Sequence, residues 1–77
     1  MDRRRVKFII PQNGMTDPFI YRMGKEFQVV TNMRRAHVLA DHSWVILEVS
    51  GDEPEVDAAL DWVRGLGVAV ESVEEDQ

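Results

Sequence analysis

The side chains that could carry chemistry in this 77-residue sequence are few, and each has an ordinary role beside the chemical one. Arg34 and Arg35 are adjacent guanidinium forks, a geometry that suits a carboxylate. The same pair on an edge strand would keep that edge solvated and discourage aggregation. His37 and His42 are the two histidines, five positions apart. Two imidazoles can begin a metal site, but no third ligand stands at a recognisable spacing. Both are therefore expected at the surface, and no metal is expected. The sequence has no cysteine, which removes disulfides, thiolate metal sites and thiol nucleophiles. Asp52, Glu53, Glu55 and Asp57 could be taken for catalytic carboxylates, yet their crowding at a helix start suits capping and solubility. Asn13-Gly14 has turn chemistry rather than that of a phosphate loop. No set of nucleophile, base and orienting group can be assembled. The expectation is a chain without catalytic residues and without a cofactor.

The elements that would position these residues can be read from periodicity. Over residues 5–10, Val6, Phe8 and Ile10 alternate with Lys7 and Ile9, as in a strand buried mainly on one face. Asp17-Pro18 is a helix start, with Asp17 to accept the first free amides and Pro18 at the first helical position. Phe19, Ile20, Met23 and Phe27 then form one helical stripe. Gly24 lies inside that stripe and is expected to mark a close helix–sheet contact. Residues 29–38 form a second strand whose parity is broken. Val29, Thr31 and Met33 share one side, Ala36 and Val38 the other, and the change near Arg34-Arg35 predicts a bulge on an edge strand.

Residues 40–43 suit a hairpin connection. Residues 44–49 are the clearest strand, with Val45, Leu47 and Val49 opposite Trp44, Ile46 and Glu48. Asp52 and Glu55 resemble a capping box at the start of a second helix. Val56, Ala59, Leu60, Val63 and Leu66 would be its buried stripe, with Trp62 at the margin. Gly65 or Gly67 is expected to end it in a left-handed conformation. Val68, Val70 and Val73 make the last strand before the tail of residues 74–77.

The order strand, helix, strand, strand, helix, strand is a split β-α-β unit met twice. Its simplest packing is an α+β domain with a four-stranded antiparallel sheet, in strand order 4-1-3-2, and both helices on one face. The whole chain is expected to form one domain, with a core over about residues 5–73. Net charge is −5, but residues 1–37 carry +5 and residues 38–77 carry −10. In the expected topology Arg3, Arg4 and Arg5 come beside Glu71, Glu74 and Glu75. Such pairing would neutralise the basic cluster, so no nucleic-acid partner is expected. No apolar run approaches the roughly 20 residues of a membrane helix, and the basic start lacks a signal peptide's apolar segment. A cytoplasmic protein with no membrane insertion is expected.

Several stretches, in their order and spacing, resemble the NIL domain. They are Gln28-Val29-Val30-Thr31-Asn32-Met33, Val45-Ile46-Leu47-Glu48-Val49-Ser50-Gly51, Val56-Asp57-Ala58-Ala59-Leu60-Asp61-Trp62-Val63 and Gly67-Val68-Ala69-Val70-Glu71. The resemblance runs from about Val6 to Val73. It implies a ferredoxin-like βαββαβ fold and a role in sensing or association. In methionine transporters such a domain follows the ATPase and binds methionine where two copies meet; related domains are attached to ferredoxin modules. With neither an ATPase nor cluster cysteines in the 77 residues, a free-standing version is expected.

The family's Asn-Ile-Leu signature falls on Asn32-Met33-Arg34, with Arg34 a departure from Leu. The resemblance makes Asn32, Met33 and Arg34 the candidate ligand-contacting residues. Asn32 has an ordinary alternative as an edge-strand amide bonding neighbouring backbone, and Met33 could fill the core rather than lie on a thioether ligand. The implied function is a non-catalytic regulatory module that binds methionine or a related amino acid at a homodimer interface. The alternative is an adaptor docking on an enzyme or redox protein of sulfur metabolism. On the sheet face away from the helices, Ile9, Trp44 and Ile46 would form an apolar patch. With Arg35 on the unpaired edge, they are the candidate interface residues for a second copy or a protein partner.

Overall fold

The computed structural model describes residues 2–11, 18–38 and 41–73, with His42 described by its backbone alone. The elements follow in the order β1 (Asp2–Pro11), α1 (Phe19–Glu26), β2 (Val29–Val38), β3 (His42–Gly51), α2 (Glu53–Gly65) and β4 (Ala69–Ser72). The sheet order is β2-β3-β1-β4 with every neighbouring pair antiparallel. This is the expected 4-1-3-2 order read from the other edge, and the fold is the ferredoxin-like βαββαβ arrangement.

Directly paired residues share a face of the sheet, so the register sorts every side chain. Val6 faces Leu47 and Phe8 faces Val45. These residues join Val49, Phe19, Met23, Val56, Ala59, Leu60 and Val63 in one buried cluster between the sheet and both helices. Phe8 and Phe19 meet at a tilt of 43° with ring centres 5.8 Å apart, and Phe27 packs against Trp62 at the same separation. The apolar stripes expected of both helices are the ones that face this core.

The broken parity of β2 is resolved by a bulge between Met33 and Arg35, with Arg34 as the extra residue. Thr31 pairs with Val49 and Met33 with Leu47; beyond the bulge Ala36 pairs with Val45. One inserted residue thus returns Ala36 to the helix side. Strands β2 and β3 have ten residues each, which at about 3.3 Å per residue outreaches the roughly 12 Å of α1. The far end of the β2–β3 pair therefore projects past the helices. Met33 is 53% exposed and Val38 83% exposed, so Met33 is not core filling.

Some local expectations are corrected. Pro18 is the N-cap of α1 rather than its first residue, and its carbonyl accepts the first helical bond, from Arg22. The capping role given to Asp17 and the turn at Asn13-Gly14 lie outside the described residues. Asp52 caps α2 without a side-chain hydrogen bond, so no capping box forms. Glu55 instead accepts the backbone N–H of Gln28 at 2.8 Å and ties α2 to the turn before β2. Gly24 makes no close contact: a Cβ there would lie 3.9 Å from the Val29 carbonyl. Close approach occurs at Gly51, where a Cβ would stand 2.7 Å from the Gln28 carbonyl. Of the two candidate helix terminators, Gly67 has the left-handed conformation, with φ 92°.

Candidate functional site

Of the candidate site and interface residues, Asn32, Arg35, Ile9, Trp44 and Ile46 lie on the sheet face opposite the helices. Three rows cross it. In the first, Arg5 of β1 pairs with Glu48 of β3, which pairs with Asn32 of β2. In the second, Glu71 and Lys7 flank Ile46, with Arg35 on its other side. In the third lie Ala69, Ile9, Trp44 and His37.

The first row holds the least exposed ion pair among those described. Arg5 Nη2 donates to Glu48 Oε2 at 2.9 Å, and the two side chains are only 11% and 14% exposed. The hydrogen bond from Arg5, reinforced by the charges of Arg5, Arg34 and Arg3, holds the Glu48 carboxyl below the usual carboxylate range, against partial desolvation. Arg3, Arg5, Glu48 and Val73 line an open cleft of about 370 Å³. A cleft of this size is within the range of small-molecule sites. Val73 closes one side because its N–H donates to the Arg5 carbonyl at 3.1 Å, just past the end of β4.

This arrangement corrects the charge pairing expected from the chain ends. Alternate residues of a strand point to opposite faces, so Arg4 turns to the helix side and bonds Asp57 of α2 at 2.6 Å and Asp2 at 2.8 Å. Arg5 takes Glu48, and Glu71 stands opposite Lys7 rather than beside the arginines. The expected contacts of Glu74 and Glu75 lie outside the described residues.

The signature residues occupy the open edge. Asn32, Arg34 and Arg35 are exposed. Asn32 is directly across from Glu48 in the same cross-strand row, one strand outside the residues that line the cleft. Met33 faces the other side of the sheet, with Leu47. The expected ligand trio is therefore divided: Asn32 and, through its charge, Arg34 approach Glu48, whereas Met33 does not.

The expected apolar patch is smaller than its composition implies. Ile46 does point away from the helices but is only 6% exposed; its cross-strand neighbours Lys7 and Arg35 have aliphatic stems long enough to cover it. Ile9 and Trp44 are half-buried. His37 stacks on Trp44 with ring centres 5.6 Å apart and planes 13° from parallel, while Lys7 Nζ lies 4.9 Å from the same ring's centre. Both contacts shield the indole. His37 is thus an exposed aromatic partner of Trp44. Among the described residues no group of three or more His, Cys, Asp or Glu side chains could hold a metal ion. No helix among them is long and apolar enough to cross a membrane.

Arg3, Arg5 and Glu48 were not legible as a cleft from the sequence. The usable signal was the i, i+2 spacing of Arg3 and Arg5 on a strand, facing a lone Glu on the strand it pairs with.

Comparison with known proteins places this geometry. Among solved structures, the fold is similar to the C-terminal domain of an ABC transporter ATP-binding protein from Enterococcus faecalis, with a TM-score of 0.79. The two share 18% sequence identity over 94% of this chain and 84% of that one. No curated protein matches. The sequence profile of the NIL domain matches residues 4–72, from the arginines of β1 to the end of β4. Matched over residues 4–72 of its 77, and folded as a βαββαβ sheet, the chain belongs to the NIL domain family.

Proposed function

We propose that this protein is a non-catalytic regulatory module that binds a small amino-acid-like ligand on the open sheet face, where a second copy completes the site. The observation that carries the reading is the row Arg5–Glu48–Asn32. It sets Asn32 one strand away from the charged cleft, on the strand whose outer edge is unpaired among the described residues. Membership of the NIL domain family supports a regulatory role. The family's methionine-sensing members make methionine or a related amino acid the first ligand to test. The similarity to the C-terminal domain of a transporter ATPase supports a cytoplasmic setting and a transporter or comparable enzyme as the regulated partner.

The partner copy is argued from the edge. Among the described residues β2 has a neighbour on one side only, and an unpaired strand is a template for another. A symmetric pair of edges would bring two Asn32 rows together. Light scattering should give twice the chain mass at micromolar concentration; a monomer at high micromolar concentration removes this part of the proposal. For the ligand, a thermal-shift screen of amino acids is the direct test. A compound at 100 times its dissociation constant adds about 2.7 kcal/mol. If no compound shifts the transition at millimolar concentration, the ligand reading fails.

A second reading has its own observation. Val30, Met33 and Val38, all on β2, are exposed hydrophobics on an edge that also carries Arg34 and Arg35. An adaptor docking on an enzyme or redox protein of sulfur metabolism would use that edge and bind no metabolite. A dimer that takes up no ligand, yet is dissociated by such a partner, would favour it.

A further inference from the structure

The edge strand β2 presents two unlike surfaces. Asn32, Arg35 and His37 stand on the open face, while Thr31, Met33, Ala36 and Val38 stand on the helix side. Of the four large hydrophobics most exposed among the described residues, three are Val30, Met33 and Val38. Apolar exposure is thus concentrated on one strand, as at an interaction site. A bulge and charged side chains suffice to blunt an edge; exposed valines and a methionine add nothing to that task.

Strand addition draws affinity from backbone hydrogen bonds and specificity from alternate side chains, so β2 itself prescribes the added strand. Among the described residues neither Arg34 nor Arg35 makes an ion pair. β2 contains no acid, and Glu48 on the neighbouring strand is already bonded to Arg5. Glu74, Glu75 and Asp76 follow β4, the opposite edge strand. Whatever the register, two β2 strands bring four arginines and no acid to one seam, and like charges across strands are destabilising. An extended segment with carboxylates towards the open face and apolar side chains towards the helix side avoids that repulsion. Directly opposed side chains have Cβ atoms about 4.5–5.5 Å apart, close enough for a carboxylate to meet a guanidinium fork. Two single negative charges balance Arg34 and Arg35, whereas a phosphorylated side chain brings about 1.5–2 charges each. A nucleic acid backbone would leave Met33, Ala36 and Val38 without a partner.

We propose that the edge of β2 docks an extended segment of a partner protein in which acidic and apolar residues alternate, and that this segment displaces a second copy. The inference rests on the second reading above, docking of a protein on β2, and names the chemistry of that protein.

Fluorescence anisotropy of labelled ten-residue peptides, matched to the ten residues of β2, tests it on the full chain. One peptide alternates Val and Glu; the others alternate Val and Lys, Gly and Glu, and Val and phosphoserine. The Val–Glu peptide should bind at least about tenfold more tightly than the Val–Lys peptide, since two cross-strand pairs change from unlike to like charge. The Gly–Glu peptide, which loses the apolar contacts, should be weaker by a similar factor. The double variant Arg34→Glu, Arg35→Glu should invert the order of the Val–Glu and Val–Lys peptides. Both side chains are exposed, so an unchanged melting curve will show an intact fold. Light scattering should show the Val–Glu peptide converting dimer to monomer. Equal binding of the Val–Glu and Val–Lys peptides, no binding of any peptide, or no inversion in the folded variant overturns the inference. So does tighter binding of the phosphoserine peptide, or a dimer that the Val–Glu peptide leaves intact. A whole protein that dissociates the dimer of wild type and double variant alike also overturns it, but leaves docking on β2 standing. An amino acid that raises the melting temperature bears on the ligand reading alone.

Discussion

Glu48 is the residue on which most of the open-face chemistry turns. Its folded-state pKa is depressed by the Arg5 hydrogen bond and the neighbouring arginines, so the carboxylate form is favoured by folding. A carboxylate depressed in this way contributes stability above its ordinary pKa and loses it as pH falls through that value towards the depressed one. Glu48→Gln should therefore lower the melting temperature at neutral pH and bring wild type and variant together in acid. Melting curves across that range, followed by circular dichroism, provide the check; parallel curves at every pH would show that the pair does not couple to folding. Glu55 does a different task, accepting the Gln28 N–H. Its replacement by Ala should loosen the turn into β2 and cost about 0.5–1.5 kcal/mol, the net worth of a hydrogen bond, in urea unfolding.

At the scale of elements, the two glycines that flank the helix–strand junctions make opposite predictions. Gly51→Ala places a methyl 2.7 Å from a backbone carbonyl, where something must move, and should destabilise by about 1–3 kcal/mol. Gly24→Ala adds only an ordinary contact on an exposed helical position and should stabilise by roughly 0.5–1 kcal/mol. Paired urea titrations decide both signs. The sequence favoured Gly24 as the tight spot because a glycine inside a helical stripe is locally anomalous. Closeness at Gly51 arises from the crossing of two distant segments, which no local pattern encodes. The strands were legible for the opposite reason. Alternation over Val6–Phe8–Ile10 and Val45–Leu47–Val49 and the parity break in β2 are local signals, and the bulge at Arg34 follows from them. Charge partners were less legible: adjacency in sequence grouped Arg3, Arg4 and Arg5, while the strand sends Arg4 to Asp57 and Arg5 to Glu48.

The whole molecule has one well-packed face and one charged face, and the two should respond differently to mutation. Leu47 is fully buried at the centre of the core; Leu47→Ala should cost about 2–5 kcal/mol. That is a large share of the roughly 5–15 kcal/mol available to a small domain. Arg3→Gln on the open face should change stability by less than about 0.5 kcal/mol. That separation lets the charged side chains of the open face change while the fold persists. The central claim is that this face binds a small ligand along the row from Arg5 to Asn32. Nitrogen–proton correlation spectra of the labelled chain, titrated with acidic and apolar amino acids, test it most directly. The account predicts saturable shifts concentrated at Arg5, Glu48 and Asn32, lost in Asn32→Ala and Glu48→Gln. Shifts confined to the helix side, or none at any ligand concentration, would contradict it.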